Sequence, residues 1–285
     1  MFKIRTSFAL FAAALSLAPL ASACSRQDEA TQKKIDLLIA KVDGLDKKLA
    51  SGAMGRAAAP GAAQAPQRKR SDPATAYFLP VSETDSVKGP KAAKVTVVEA
   101  FEFACPYCAM LHDPMEAVRE KNPDVRFVGK QYVVHPDVAT VPALAACAAT
   151  RQGKWDTWEK TLWSKAWPMT NGQPSFKREE LAPDALEATA KTIGLDVAKF
   201  KADRDGADCK AQLDATKTQL SAVGVSGTPA IFINGKPYQG PRTPEALTAA
   251  IDDARKQADS VIGKNGVTVD SYYDSIMKSA QKTLL

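Results

Sequence analysis

The stretch Lys94-Val95-Thr96-Val97-Val98-Glu99-Ala100-Phe101-Glu102-Phe103-Ala104-Cys105-Pro106-Tyr107-Cys108-Ala109-Met110 runs from a β-branched apolar segment into two cysteines separated by two residues. Residues 94–101 are short and valine-rich, the composition of a buried strand. A helical pattern follows Pro106, and proline suits a first helical position because the N–H it lacks would have no partner there. Cys105 therefore falls at the strand-to-helix junction, beside the helix's first turn. The unpaired amides and macrodipole of that turn favour a thiolate over a thiol. Cys108, one turn later, is close enough to close a disulfide with Cys105 and is expected to be the less exposed of the two. A low-pKa attacker beside a resolving thiol is what thiol-disulfide exchange requires.

A Cys-x-x-Cys pair has two other readings, half of a zinc site or a structural bridge. Zinc needs two further ligands at matching spacing. The remaining candidates, Cys147, Cys209, His112 and His135, make neither a second Cys-x-x-Cys nor a close histidine pair. No metal and no organic cofactor is expected, and each histidine is read as structural.

A second signature lies far downstream, at Val223-Gly224-Val225-Ser226-Gly227-Thr228-Pro229-Ala230-Ile231-Phe232-Ile233-Asn234-Gly235. Thr228-Pro229 opens a β-branched run, and Asn234-Gly235 is hairpin-turn chemistry leading into Lys236-Pro237-Tyr238. The stretch Val95 to Met110 resembles the active-site region of the DsbA-like branch of the thioredoxin superfamily. The downstream stretch is similar to that family's Gly-Val-x-Gly-Thr-Pro loop, strand and turn. The resemblance covers roughly residues 77–255.

This resemblance implies an α/β thioredoxin fold with a helical insertion. It further implies that the Thr228-Pro229 bond is cis and faces the cysteine pair, where the backbone pairs with an extended substrate segment. Pro106, Tyr107, Thr228 and Pro229 are the expected substrate contacts. Glu99 matches the family's buried acid, which handles the proton of the resolving thiol. Physically, a carboxyl group among apolar strand residues has a raised pKa and can exchange protons near neutral pH. Glu102 lacks that positional match and is expected to face solvent.

Between the signatures, residues 138–223 read as helices, with helical composition or spacing at 143–149, 155–163 and 185–193 and a turn at Gly194-Leu195-Asp196. Trp155, Trp158, Trp163 and Trp167 fit packing, with a peptide groove as the other reading. Cys147 and Cys209 fall in this insertion. An oxidising compartment favours a structural disulfide between them over two separate buried thiols.

The chain's beginning points to that compartment. Lys3 and Arg5 precede an uncharged apolar run from Phe8 to Ala18, then Ala21-Ser22-Ala23 and Cys24. This is the layout of a secretory signal peptide over residues 1–23, with an apolar core too short to span a bilayer. Ordinary cleavage after Ala23 and lipidation of Cys24 both remain open, because a lipobox usually has Leu three places before its cysteine and here Ala21 stands there. Lipidation would leave four cysteines, or two pairs, and a membrane tether.

Residues 24–50 read as a helical stalk. Ile35, Leu38, Val42, Leu45 and Leu49 recur at spacings of three and four, the seam of a coiled coil, so residues 32–49 are a candidate homo-oligomer contact with a solvated helix as the alternative. Residues 51–76, rich in Ala, Pro, Gly and Gln, read as a flexible linker. The DsbA-like domain is placed at 77–258 and a C-terminal helical extension at 259–285.

Composition agrees with this division. The 285 residues are 45% hydrophobic and 25% charged, which supports a sizeable core and excludes collagen, rod and wholly disordered classes. The formal charge of +6 is spread along the chain rather than gathered in a stripe, so no nucleic-acid partner is expected.

The functional expectation is an exported enzyme of the periplasm or cell envelope that forms or isomerises disulfides in other exported, cysteine-containing proteins. A membrane partner would reset its redox state. The alternative is a non-catalytic tethered scaffold or peptide-binding chaperone. Oxidase and isomerase directions both stay open, since the Pro106-Tyr107 dipeptide does not convert to a potential.

Overall fold

The computed structural model describes residues 31–42 and 71–284. They belong to two units, Met1–Pro66 and Gln67–Leu285. In the first, residues 31–42 form helix α1, with Ile35, Leu38 and Val42 exposed. The expected signal peptide (1–23), Cys24, Leu45, Leu49 and linker residues 51–70 lie outside the described residues.

The second unit is built on a five-stranded sheet. Its strands are β1 (Ser86–Lys88), β2 (Thr96–Phe101), β3 (Arg126–Gln131), β6 (Ala230–Ile233) and β7 (Lys236–Tyr238), in the order β1-β3-β2-β6-β7. Only β2 and β3 are parallel. All six residues of β2 are buried, as its short, valine-rich composition predicts for a central strand. Asn234 and Gly235 turn β6 into β7 with φ of 48° and 80°, the left-handed pair that matches strand twist.

Alternation along β2 assigns the two faces. Val97 packs with Leu111, Met115 and Val118 of helix α2 (Pro106–Lys121) and with Leu247 and Ile251 of α8 (Pro244–Val261). Val98 and Ala100 face the opposite way. They pack with Leu220 of α7 (Ala207–Ala222) and with Tyr273 and Met277 of α9 (Val269–Ser279). Parity places Glu99 on the α2 and α8 face.

Between β3 and β6, the chain forms α3 (Pro136–Arg151), α4 (Trp155–Ala166), α5 (Pro183–Thr192), α6 (Val197–Asp205) and α7. Trp155, Trp158 and Trp163 are buried there among Leu162, Leu186 and Phe200, so these three are packing residues. Trp167 is half-buried and donates its Nε1–H to the Phe103 carbonyl at 2.7 Å, which fastens the insertion to the loop before Cys105. Cys147 on α3 and Cys209 on α7 are joined by a disulfide.

Two boundaries and one element differ from expectation. Residues 71–76 are held to the folded unit, not left as linker: Ser71 Oγ donates to the Val223 carbonyl and the Asp72 amide donates to the Tyr77 hydroxyl. The boundary at 258 falls inside α8, and α9 belongs to the core. Tyr273 donates its hydroxyl to the Leu79 carbonyl at 2.7 Å, and Tyr77 pairs with Gln281. The insertion also contains a short hairpin, β4 (Met169–Thr170) with β5 (Gln173–Pro174), where only helices were expected.

Candidate active site

Strand β2 ends at Phe101, and the backbone reverses through Glu102–Ala104 before α2 begins at Pro106. Cys105 is the N-cap, extended at φ −86° and ψ 118°, and its sulfur takes the capping role of an acceptor. The Cys108 amide donates to Cys105 Sγ at 3.3 Å. Both cysteines are free, with 3% and 1% of their surfaces exposed, so the sulfurs sit in a largely dry environment. Pro106 and Tyr107 are exposed beside them.

Helix geometry divides the two thiols chemically. Hydrogen bonding from the Cys108 side chain, then from the Thr228 side chain and from the Cys108 and Tyr107 amides, lowers the Cys105 thiol to about 6 against the opposing effect of burial. Cys108 moves the other way. Burial raises its pKa, and its hydrogen bond and proximity to the Cys105 sulfur raise it further.

The Thr228-Pro229 peptide bond is cis, and the Thr228 carbonyl accepts from Cys105 Sγ at 3.4 Å. This loop is fixed from its far side by Arg242, whose Nη2 donates to the Pro229 carbonyl at 3.0 Å. Sequence reasoning passed over Arg242, which lies beyond the downstream signature and carries no motif.

Glu99 lies opposite Gly129 of β3 and Ile231 of β6, neither of which offers a compensating charge. Burial raises its carboxyl to about 7, partly offset by the guanidinium of Arg119. That value suits a group that takes and returns a proton near neutral pH.

Glu102 does not face solvent. Its side chain is fully buried and accepts the Val134 amide at 2.7 Å and the His135 amide at 3.1 Å, with His135 Nδ1 as a third partner. The physical reason is that the β3–α3 turn brings inward two backbone donors that need an acceptor. The backbone carbonyl of Glu102 also accepts the Cys105 amide at 3.2 Å, so this residue joins the turn after β3 to the redox loop. His135 is exposed on the outside of this junction, and its bond to Glu102 raises its pKa. His112 stacks on Trp163 at 5.7 Å between centroids, where burial lowers its pKa. A cavity of about 410 Å³ opens beside α2, lined by Ala109, His112, Trp163, Trp167 and Met169 among others.

Among the described residues, no group of three His, Cys, Asp or Glu stands close enough to hold a metal ion. Likewise, no helix among them is long and apolar enough to cross a membrane.

Comparison with known proteins agrees with this geometry. A family model described as Thioredoxin matches residues 81–253. Among solved structures, BdbD from Bacillus subtilis aligns with a TM-score of 0.55 at 18% identity, covering 66% of this chain and all of that one. A thioredoxin-like oxidoreductase from Silicibacter pomeroyi aligns at 0.52 and 24% identity over 61% and 94% of the two chains. Wolbachia pipientis alpha-DsbA1 aligns at 0.52 and 15% identity over 64% and 96%. At these identities the likeness is one of fold.

Curated relatives include the Na(+)/H(+) antiporter NhaA 3 of Salinispora tropica, 36% identical over 185 residues, or 62% of this chain and 26% of that protein. NhaA 1 of Salinispora arenicola is 35% identical over the same shares. The chain thus spans about a quarter of the length of these relatives.

Proposed function

The chain belongs to the thioredoxin family, and we propose that it is an exported protein thiol-disulfide oxidoreductase acting through Cys105 and Cys108. The observation that carries this reading is the Cys105 sulfur itself, capping a helix, lowered to about 6 and set against a cis-proline loop.

Toward a substrate disulfide, the Cys105 thiolate attacks one sulfur. The substrate S–S bond breaks, and its electron pair leaves with the other sulfur, which takes up a proton. The Cys108 thiol then gives its proton to the Glu99 carboxylate, and the resulting thiolate attacks Cys105 Sγ. The bond between Cys105 and substrate breaks, the second substrate sulfur leaves as a thiolate, and the enzyme is left with a Cys105–Cys108 disulfide. Run backward, the same steps oxidise two substrate thiols while Glu99 returns the proton to Cys108. The Thr228-Pro229 backbone holds the substrate strand, with Pro106 and Tyr107 beside it.

Residues 1–23 have the layout that supports export to the periplasm or cell envelope, and Cys24 offers a lipid tether there. A membrane redox partner recycles the pair. The apolar seam beginning at Ile35, Leu38 and Val42 supports self-association, which favours isomerisation of wrong disulfides over their bulk formation.

The test is insulin reduction and refolding of scrambled ribonuclease by the purified protein, with Cys105→Ser as control. Loss of both activities in the variant is expected. Equal activity in both proteins would overturn the enzyme in favour of a tethered scaffold or peptide-binding chaperone.

A further inference from the structure

Glu99 is the inner end of a cluster of charges that crosses from the α2 face of the sheet to the surface. Arg119, on the last turn of α2 with its side chain only 12% exposed, places Nη2 3.7 Å from Glu99 Oε2. Its Nη1 reaches Glu159 Oε2 at 3.4 Å and also contacts Glu116. Lys88 of β1 bridges Glu116 at 3.1 Å, Asp156 at 2.6 Å and Glu159 at 2.9 Å. Lys160 closes the outer end on Glu116 and Asp156 at 3.3 and 3.5 Å.

Within this cluster Lys88, Arg119 and Lys160 face Glu99, Glu116, Asp156 and Glu159. Lys160 and Asp156 are exposed. In the buried inner part Lys88 and Arg119 face Glu99, Glu116 and Glu159, one cation short, so full ionisation would leave a net negative charge in a poorly solvated place. A bound proton removes that cost, and the geometry decides which carboxyl holds it. Glu116 touches three cations, and Glu159 two at close range. Within ion-pair distance Glu99 has Arg119 alone, at the longest separation of the set, with Arg242 acting on it from farther away. Arg119 Nε has no hydrogen-bond partner, so the guanidinium is held by its Nη atoms and its charge is divided between the insertion and the redox site.

We propose that Arg119 is a positioning residue for the resolving half of the exchange. By sharing one guanidinium among Glu99, Glu116 and Glu159, it makes Glu99 the carboxyl of this cluster that holds and releases the mobile proton. The assignment deepens the mechanism above and rests on it. It also gives Glu159, a residue of the insertion helix α4 that never meets substrate, a lever on the chemistry. The more strongly Glu159 draws on Arg119, the more tightly Glu99 keeps its proton. The other charged or titratable groups acting on Glu99 are Arg242, ahead of α8, and Cys105 at the start of α2, while β3 and β6 present Gly129 and Ile231.

The test titrates the Glu99 carboxyl directly, by carbon NMR of the reduced full chain, in wild type, Arg119→Met, Arg119→Lys and Glu159→Gln. The wild-type midpoint is expected at about 7. It should rise by about one pH unit in Arg119→Met, return toward wild type in Arg119→Lys, and fall in Glu159→Gln. At pH 7, the rise would leave about a fifth as much ionised Glu99, so mixed-disulfide resolution should slow by about fivefold while the Cys105 alkylation midpoint stays in place.

A midpoint unmoved in folded Arg119→Met, or one that rises in Glu159→Gln, would overturn the proposal. Equal slowing of attack and resolution would do the same. If Arg119→Met does not fold, Glu159→Gln still decides by the sign of its shift. Because the titration needs no turnover, an unmoved midpoint counts against this inference alone, whereas a wild type unable to reduce insulin counts against the proposed function.

Discussion

The Cys105 sulfur lies 3.4 Å from the backbone carbonyl oxygen of Thr228, a residue 123 positions away in the chain. As a thiol, Cys105 can donate to that oxygen; as a thiolate it cannot. Under the proposed function, ionisation would free that backbone acceptor for an extended substrate strand.

Glu99→Gln should separate the two halves of exchange. Attack by Cys105 should persist, whereas resolution should fall by about 100-fold because the amide cannot accept the Cys108 proton. The mixed disulfide, trapped with acid and counted by mass spectrometry, should accumulate. Stability carries a second signature. In the folded state the Glu99 carboxyl is raised from 4.5 to about 7, so between those values the native protein holds a proton that the unfolded chain has released. Its contribution to stability therefore falls as pH rises through that window, and Glu99→Gln should flatten the decline in urea titrations.

His135 should act in the opposite pH sense to an ordinary carboxylate pair. Its hydrogen bond to Glu102 raises its folded pKa above 6.5. The stabilisation is full below the unfolded value and fades as pH rises through the folded one. Urea unfolding should show a larger deficit for His135→Ala at pH 5.5 than at pH 8.5. At pH 8.5, where the His135 contribution has faded, Glu102→Leu should still cost about 1–3 kcal/mol, because it leaves the Val134 and His135 amides without an acceptor.

Replacing Cys147 and Cys209 together by alanine should lower stability by about 2–4 kcal/mol, since the bridge closes a long stretch of chain between α3 and α7. The Cys105 alkylation midpoint should not move in this variant, because none of the groups that lower it comes from the bridge.

The seam in α1 predicts a change of mass. Light scattering of the mature full chain should show more than one copy. Polar replacement of Ile35, Leu38 and Val42 together should yield a monomer with unchanged insulin reduction. A wild-type monomer would remove the argument for isomerisation.

The sequence made legible the parts of this molecule that are local. The valine run of β2, the N1 proline of α2 and the Asn234-Gly235 turn each declare themselves within a few residues and place the cysteine pair, whereas the cis Thr228-Pro229 bond facing it came only through the family resemblance. The apolar neighbours Val97, Val98, Ala100 and Phe101 were enough to expect Glu99 buried. The rest depends on chain brought in from elsewhere. Glu102 is buried by two amides more than 30 residues later, and α9 owes its place to Leu79, near the other end of the folded unit. Nothing near Arg119 announces that a carboxylate from β2 and another from α4 converge on it. The β4–β5 hairpin did leave a signal. Asn171-Gly172 repeats the turn chemistry of Asn234-Gly235, with φ of 53° and 75°, but its two-residue strands are too short to show alternation.

The most direct test of the central claim is the pH dependence of Cys105 alkylation in the reduced full-length chain, followed by the mass of the peptide containing that residue. The account predicts a midpoint near 6, with Cys108 unmodified over the same range. A Cys105 midpoint at about 8.5, the value of an unperturbed thiol, would contradict it.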